Sequence, residues 1–441
     1  MPLAPDPSQN LEFFALTDVG MRRANNQDAH TEVIAPDAES WQRRGHLFVV
    51  CDGMGAHAAG ELASKMAADS IPHTYLKLRD RSPVEALHKS IEVANSQIHT
   101  RGEANADFQG MGTTASALVL LPQGAVVAHV GDSRVYRLRG NRLEQLTFDH
   151  SLVWEMSAAG HVPKDALPGF VPKNIITRSL GPHADVKIDL EGPFELAPGD
   201  TFLLCSDGLT GQVQDEEIGA LLQCLTPAET ARVLVDLANL RGGPDNITIV
   251  IARWKNGTST GRNSSDAHAH GAGTPLMPSQ SKAKFASPLM LAALACVIVA
   301  VGFGAAQATI PTFVALGIGI VLALIGWLQQ SVQTLQPVTN FVSGGRLGKG
   351  PHSSVDCQPS QKFADDLLSM IEQLREAAIE EHWSIDWTKL NGLCHGGKQA
   401  VDQQDFCAAV RHYAAALQFM MGELRNQRAR PNDPTVDEKL K

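Results

Sequence analysis

Four things are scarce or missing in this sequence, and each narrows what the chain can be. There is no basic excess: 37 Lys and Arg stand against 47 Asp and Glu, giving a formal net charge of -10 and a pI near 5.9. An electrostatic footprint for nucleic acid is therefore not expected. There is no cysteine pairing pattern either. The seven cysteines (Cys51, Cys205, Cys224, Cys296, Cys357, Cys394, Cys407) show no CxxC spacing, and Cys51 and Cys205 lie inside apolar runs. That usage fits reduced, buried thiols in a reducing compartment rather than a disulfide scaffold. The start MPLAPDPSQN has neither a basic cluster nor an apolar run, so no secretory signal is expected and the first domain should stay in the cytoplasm. Finally, no charged residue occurs from Phe285 to Gly345.

What is present divides the chain. With 441 residues, 44% apolar and 19% charged, two or three units are expected. Residues 10–254 alternate strand-length apolar runs with helical patterns and read as one domain. Ser82-Pro83-Val84-Glu85 and Thr226-Pro227-Ala228-Glu229 each put a capping hydroxyl, a first-turn proline and an N3 glutamate in register for a helix start. Residues 255–284, rich in Gly, Ser, Thr, Asn and His, read as a flexible linker.

The uncharged stretch holds two very apolar segments, about 288–306 and 310–328, each long enough to span a bilayer, joined only by Gln307-Ala308-Thr309. Residues 285–330 are thus expected to form a two-helix transmembrane hairpin. Lys282 and Lys284 precede the pair, Arg346 and Lys349 follow it, and the connection carries no charge. The positive-inside rule then gives a multi-pass protein of the inner membrane, with both flanks in the cytoplasm. A linker over 331–360 leads to a helical cytoplasmic tail over 361–430. Its last segment spaces Phe406, Val410, Tyr413, Leu417, Met420 and Leu424 as a seam against a partner helix. AVDQQDFCAAVRHYAAAL loosely resembles half of a tetratricopeptide repeat.

The chemistry is expected in the first domain. HLFVVCDG, AVVAHVGDS and TFLLCSDG each deliver an aspartate (Asp52, Asp132, Asp207) to a turn at the end of a buried strand, and Asp245 opens the run ITIVIA. A lone Asp-Gly is usually a tight turn. Four strand-end carboxylates gathered at one rim are another matter, because they cannot all stay ionised without cations. An all-oxygen set suits Mg²⁺ or Mn²⁺.

These segments resemble the ordered motifs of the protein phosphatase 2C family. TDVGMRRANNQDAH resembles its opening signature through Asp18, Gly20, Arg23, Asn26 and Asp28. CDGMGAHAAGELAS, MGTTASALVL, HVGDSRVYRL, LTFDHS, NIITRSLG, LLCSDGLT and GGPDNITIVI follow in family order over roughly residues 10 to 254. The resemblance implies an α+β fold, a central antiparallel β-sandwich flanked by helices with metals at one end. It also implies metal-dependent hydrolysis of phosphoserine and phosphothreonine in proteins, by direct attack of a hydroxide shared between two metal ions, and hence a partner serine/threonine kinase. Carried over by position, Asp52 bridges the two ions, the Gly53 carbonyl serves one, and Asp207 and Asp245 serve the other. Asp28 holds metal-bound water. Asp132 matches a site for a third, weakly bound ion in bacterial relatives. Arg23 clamps phosphate with its planar fork.

Departures from the pattern matter too. Gln27 stands where the family has Glu, which removes one charge near the metals and bears on their affinity. Met54 stands where many eukaryotic members have a His, as bacterial members commonly have, so the leaving-group acid is unassigned. His57 reads as a structural histidine, and Met111-Gly112-Thr113-Thr114 as a strand start packed near the site. Residues 148–181 resemble the family's flap by position, and His161 within it is expected to touch substrate. The alternatives are a catalytically weak phosphoprotein-binding scaffold and a two-metal hydrolase of another phosphoester. Oligomeric state is not legible.

Overall fold

In the computed structural model the described residues are 10–55, 58–160, 175–255 and 346–429. They all belong to one compact unit, drawn from both sides of residues 259–342. The expected bilayer hairpin lies outside the described residues, as do nearly all of the linker 255–284, His57 and His161. Among the described residues no helix is long and apolar enough to cross a membrane.

Two antiparallel sheets carry the site. The first runs β1 (Leu11–Asp18), β11 (Ile247–Trp254), β10 (Thr201–Cys205), β7 (Arg134–Arg139), β8 (Arg142–Gln145) and β12 (Ser353–Asp356). The second runs β2 (Asp28–Val33), β3 (His46–Met54), β5 (Ala115–Leu121), β6 (Gly124–Val130) and β9 (Asp189–Phe194), with the short β4 (Gly112–Thr113) paired to the end of β3. The central strands are apolar without a break because both of their faces are buried. In β11, Ile247, Ile249 and Ile251 point to a helical layer, whereas Val250, Ala252 and Trp254 point to the second sheet. β10 divides the same way, Leu203 and Cys205 against Phe202 and Leu204. Phe48, Val50, Leu118, Leu120 and Val127 of the second sheet close the inter-sheet core.

Helices cover the outer faces. α1 (Ala38–Arg44) precedes β3, and α2 (Ala59–Lys77) and α3 (Pro83–Ala104) pack together, with α2 lying over β2 and β3. Ser82 and Glu85 form the expected capping box at the start of α3. α4 (Leu152–Ala158) and the single turn α5 (Asp207–Thr210) flank the cleft, and α6 (Asp215–Cys224) and α7 (Pro227–Leu240) cover the first sheet. Thr226 and Glu229 form the capping box that starts α7. Such caps typically contribute about 1 kcal/mol each.

The tail departs from expectation. Residues 346–360 were expected to be linker, yet β12 extends the first sheet, with Ser353 opposite Gln145 and Val355 opposite Leu143. α8 (Gln361–Glu380), α9 (Trp387–Asp402) and α10 (Phe406–Ala429) follow. The seam on α10 is real: Val410, Tyr413, Leu417 and Met420 are fully buried. They share one core with α8 and α9 and also with Ile218, Leu221, Leu234 and Leu237 of α6 and α7. The tail is therefore part of the same core as the first domain. The sequence hid this because the covering surface on α6 and α7 reads equally well as ordinary packing.

Candidate metal centre and substrate cleft

Antiparallel pairing brings the N-terminal end of β2 beside the C-terminal end of β3, so Asp28 and Asp52 sit directly opposite each other. Asp132 lies in the turn between β6 and β7, Asp207 opens α5 just after β10, and Asp245 stands just before β11. The two sheets meet at this rim through Ser206, whose Oγ donates to Asp28 Oδ2 at 2.7 Å and accepts from the Thr248 amide at 2.9 Å. Asn246 locks the opening loop in place. Its Oδ1 accepts from the Gln27 amide at 2.8 Å, and its Nδ2 donates to the carbonyls of Val19 at 2.8 Å and Asn25 at 3.0 Å.

Backbone around Asp52 is equally fixed. Its amide donates to Thr114 Oγ1 at 2.8 Å, and its carbonyl accepts from the Thr114 amide at 2.8 Å and from Thr113 Oγ1 at 2.9 Å. Met111–Thr114 is thus the structural support expected for it. Gly53 cannot be replaced freely, since a Cβ there would lie 2.1 Å from the Gly60 carbonyl oxygen. Gly20, at φ +78°, is held in the left-handed region, with a Cβ position 2.2 Å from the Asp245 carbonyl oxygen. Asp18 serves this turn, accepting from the Gly20 amide at 2.8 Å and from Asn239 Nδ2 at 3.1 Å.

The electrostatics are those of carboxylates forced together. Burial pushes Asp28 up to about 7, hydrogen bonds from Ser206 and Thr248 pull it back, and Asp207 and Asp245 push it further. Burial raises Asp132 to about 8, helped by Asp207 and Asp149. Asp52 is raised well above the usual carboxylate range by burial and then by Asp28, Asp207, Asp132 and Asp245. Asp207 is raised by burial and by Asp245.

Buried oxygens on Asp28, Asp132 and Asp207 (Oδ1 in each) accept no hydrogen bond from any described residue. Unsatisfied buried acceptors on a crowded anionic rim, all of them oxygen, fit hard divalent cations. Among the described residues no three acidic, histidine or cysteine side chains are closed round a common point. Protein donors take some of their oxygens: Arg23 Nη2 meets Asp245 Oδ2 at 2.7 Å, and Arg23 Nε reaches the Pro244 carbonyl at 3.3 Å.

The rim opens into a cleft of about 680 Å³ lined by Arg23, Asp132, Arg134, Trp154, Asp207 and Asp245, among others. Asp28, Asp52, Asp132, Asp207 and Asp245 are thus brought together with Gly53 and Arg23, as the motifs implied. The sequence reading gave no role to Ser206, Asn246 or Arg134. Arg134 pairs with buried Asp149 at 2.8 Å and donates to Tyr136 Oη at 2.8 Å. The only signal for these residues was their place inside the motifs.

A two-sheet sandwich presenting a rim of clustered carboxylates beside an arginine and an open cleft defines a metal-dependent phosphatase. A sequence model described as "Protein phosphatase 2C" matches residues 21–237. A putative protein phosphatase 2C-type protein of Streptococcus pyogenes is 37% identical over 240 residues, covering 53% of this chain and 94% of its own length. Protein phosphatase PhpP of Streptococcus pneumoniae is 37% identical over 246 residues, covering 55% of this chain and 96% of its own. The crystal structure of serine/threonine phosphatase Stp1 from Staphylococcus aureus is similar with a TM-score of 0.50 at 31% identity, over 56% of this chain and 96% of that one. The chain belongs to the protein phosphatase 2C family, whose members are protein serine/threonine phosphatases using two Mn²⁺ or Mg²⁺ ions.

Proposed function

We propose that this phosphatase hydrolyses phosphoserine and phosphothreonine in intracellular proteins at the cytoplasmic face of the inner membrane, opposing a serine/threonine kinase. The observation that carries the reading is the convergence of strand-end aspartates with buried, unsatisfied oxygens on Asp28, Asp132 and Asp207. Asp52, the Gly53 carbonyl, Asp207 and Asp245 would hold two divalent cations, with Asp28 beside them and Asp132 at a third, weaker position. When bound, such ions supply an activated water nucleophile and neutralise phosphate charge.

The chain's own residues do the rest. Arg23 offers a half-exposed planar guanidinium at the rim, already oriented by Asp245 and Pro244, and binds phosphate oxygens as a fork. Ser206 and Asn246 hold the two sheets and the opening loop in register, so that the backbone carrying the carboxylates is already in place when cations bind. Arg134, braced by Asp149 and Tyr136, keeps the neighbouring wall rigid.

The uncharged segments 288–306 and 310–328, flanked by Lys282, Lys284, Arg346 and Lys349, support anchoring with both flanks in the cytoplasm. Phosphate release from phosphoserine and phosphothreonine peptides against a phosphotyrosine peptide, with Mn²⁺ or chelator, tests the activity. Release that ignores chelation contradicts it. Fractionation with protease access in spheroplasts tests the location, and full-length chain in the soluble fraction contradicts that part.

A further inference from the structure

The first domain carries features that make sense only with the tail in place. Glu191 of β9 is buried, and its carboxylate is met from the tail: the Gly350 amide donates to Oε2 at 2.7 Å, and His352 Nε2 lies 2.9 Å from Oε1. Asp236 of α7 is also buried, and Arg425 of α10 meets it at 2.7 Å. Gly219 of α6 lies against Cys357, whose Sγ would stand 2.2 Å from a Cβ at that position. These two polar contacts and the close approach of Cys357 to Gly219 fit the tail to the domain surface. The two streptococcal relatives are matched over 94% and 96% of their own length by 53% and 55% of this chain. The tail is accordingly an addition to the shared catalytic domain.

Docking brings the tail to the cleft. Ser353 and Val355 of β12 line the same cleft as Arg23, Asp207 and Asp245. The His352 amide donates to the Gln145 carbonyl at 2.8 Å, Gln145 Nε2 donates to Asp149 Oδ1 at 2.6 Å, and Asp149 holds Arg134. A continuous path of hydrogen bonds thus runs from the tail strand to the wall beside Asp132.

We propose that β12 is the distal wall of the substrate cleft, with Ser353 and Val355 contacting the polypeptide that flanks the phosphorylated residue. This rests on the phosphatase reading and specifies its substrate class: an extended phosphopeptide segment, long enough to reach from the carboxylate rim to β12, rather than a small phosphomonoester. A small aryl phosphate needs only the rim.

The test uses the full chain with Mn²⁺ and compares kcat and KM for a roughly ten-residue phosphothreonine peptide and a small aryl phosphate in the unaltered protein, Ser353→Trp and Ser353→Thr. Filling the wall with Trp should raise the peptide KM at least fivefold and lower the peptide-to-aryl ratio of kcat/KM by a similar factor, while Thr retains the ratio. A ratio unchanged by Trp overturns the proposal, including the case in which both rates fall together as a merely structural strand would give. Unaltered chain that hydrolyses neither substrate fails the phosphatase reading itself and takes the wall with it. Hydrogen exchange reports docking independently of turnover: slow exchange of the Val355 and Cys357 amides, which face β8, is expected, and exchange at the rate of a free peptide overturns docking.

Discussion

Replacing Asp52 by Asn should separate what the carboxylate rim costs the fold from what it gives the reaction. In the chelated protein the rim is a net liability. Asp28 titrates near 7 in the fold instead of 3.8, chiefly because of burial and then because Asp207 and Asp245 face it. A carboxyl whose folded pKa lies above its unfolded value binds more protons when folded. Its penalty is absent below about pH 4, grows as pH rises and is complete above about pH 7. Raising the carboxyl from 3.8 to about 7 corresponds to about 4 kcal/mol, most of it from burial. Asn at position 52 keeps the shape and the backbone bonds to Thr113 and Thr114 while removing the charge that faces Asp28, Asp132, Asp207 and Asp245. It should therefore stabilise the chelated protein at pH 8, by roughly 1.4 kcal/mol for each pH unit by which a neighbouring carboxyl falls back toward its ordinary value, and change it little at pH 4.5. The assay is urea unfolding of the full chain in mild detergent with chelator at both pH values, repeated with Mn²⁺. Mn²⁺ should stabilise the unaltered chain more than the Asn variant, and phosphatase activity should fall at least a thousandfold in the variant. An Asn variant less stable than the unaltered chain at pH 8 in chelator would refute the reasoning, as would a difference independent of pH.

Other substitutions probe single parts. Arg23→Ala should raise KM for a phosphopeptide about tenfold or more without raising the Mn²⁺ concentration needed for half-maximal activity, since Arg23 competes for Asp245 rather than assisting it. Activity titrated against Mn²⁺ and against peptide checks the split, and a weakened metal response would place Arg23 in the wrong role. Gly53→Ala should cost about 1–3 kcal/mol in unfolding free energy, because the added methyl meets the Gly60 carbonyl. Circular-dichroism melts would detect this, and an unshifted melt would show that the loop yields.

The strand-end aspartates and both capping boxes were legible because their signals are local: an apolar run delivering Asp to a turn, or a hydroxyl three residues before Glu. The packing of the two sheets was legible only through the family resemblance. Strand β12 was missed because SSVD is four residues long with one apolar side chain, and its pairing depends on Gln145 and Leu143 more than 200 residues earlier. The α10 seam was read correctly as a seam. Its extension onto α6 and α7 was not, since nothing in the spacing of Val410, Tyr413 and Leu417 names the surface they meet. Ser206 and Asn246 were passed over because their work, tying β2 and the opening loop to β10 and β11, exists only once the sheets are stacked.

The central claim, that clustered aspartates at one rim make this a two-metal protein phosphatase, is tested most directly by titrating chelated protein with Mn²⁺ while measuring bound ion and phosphate release from a phosphothreonine peptide together. The account predicts two tightly bound ions, release that rises with occupancy of the second, and loss of both tight binding and release in Asp245→Ala. Release at full rate in chelator, or undiminished in Asp245→Ala, would contradict it.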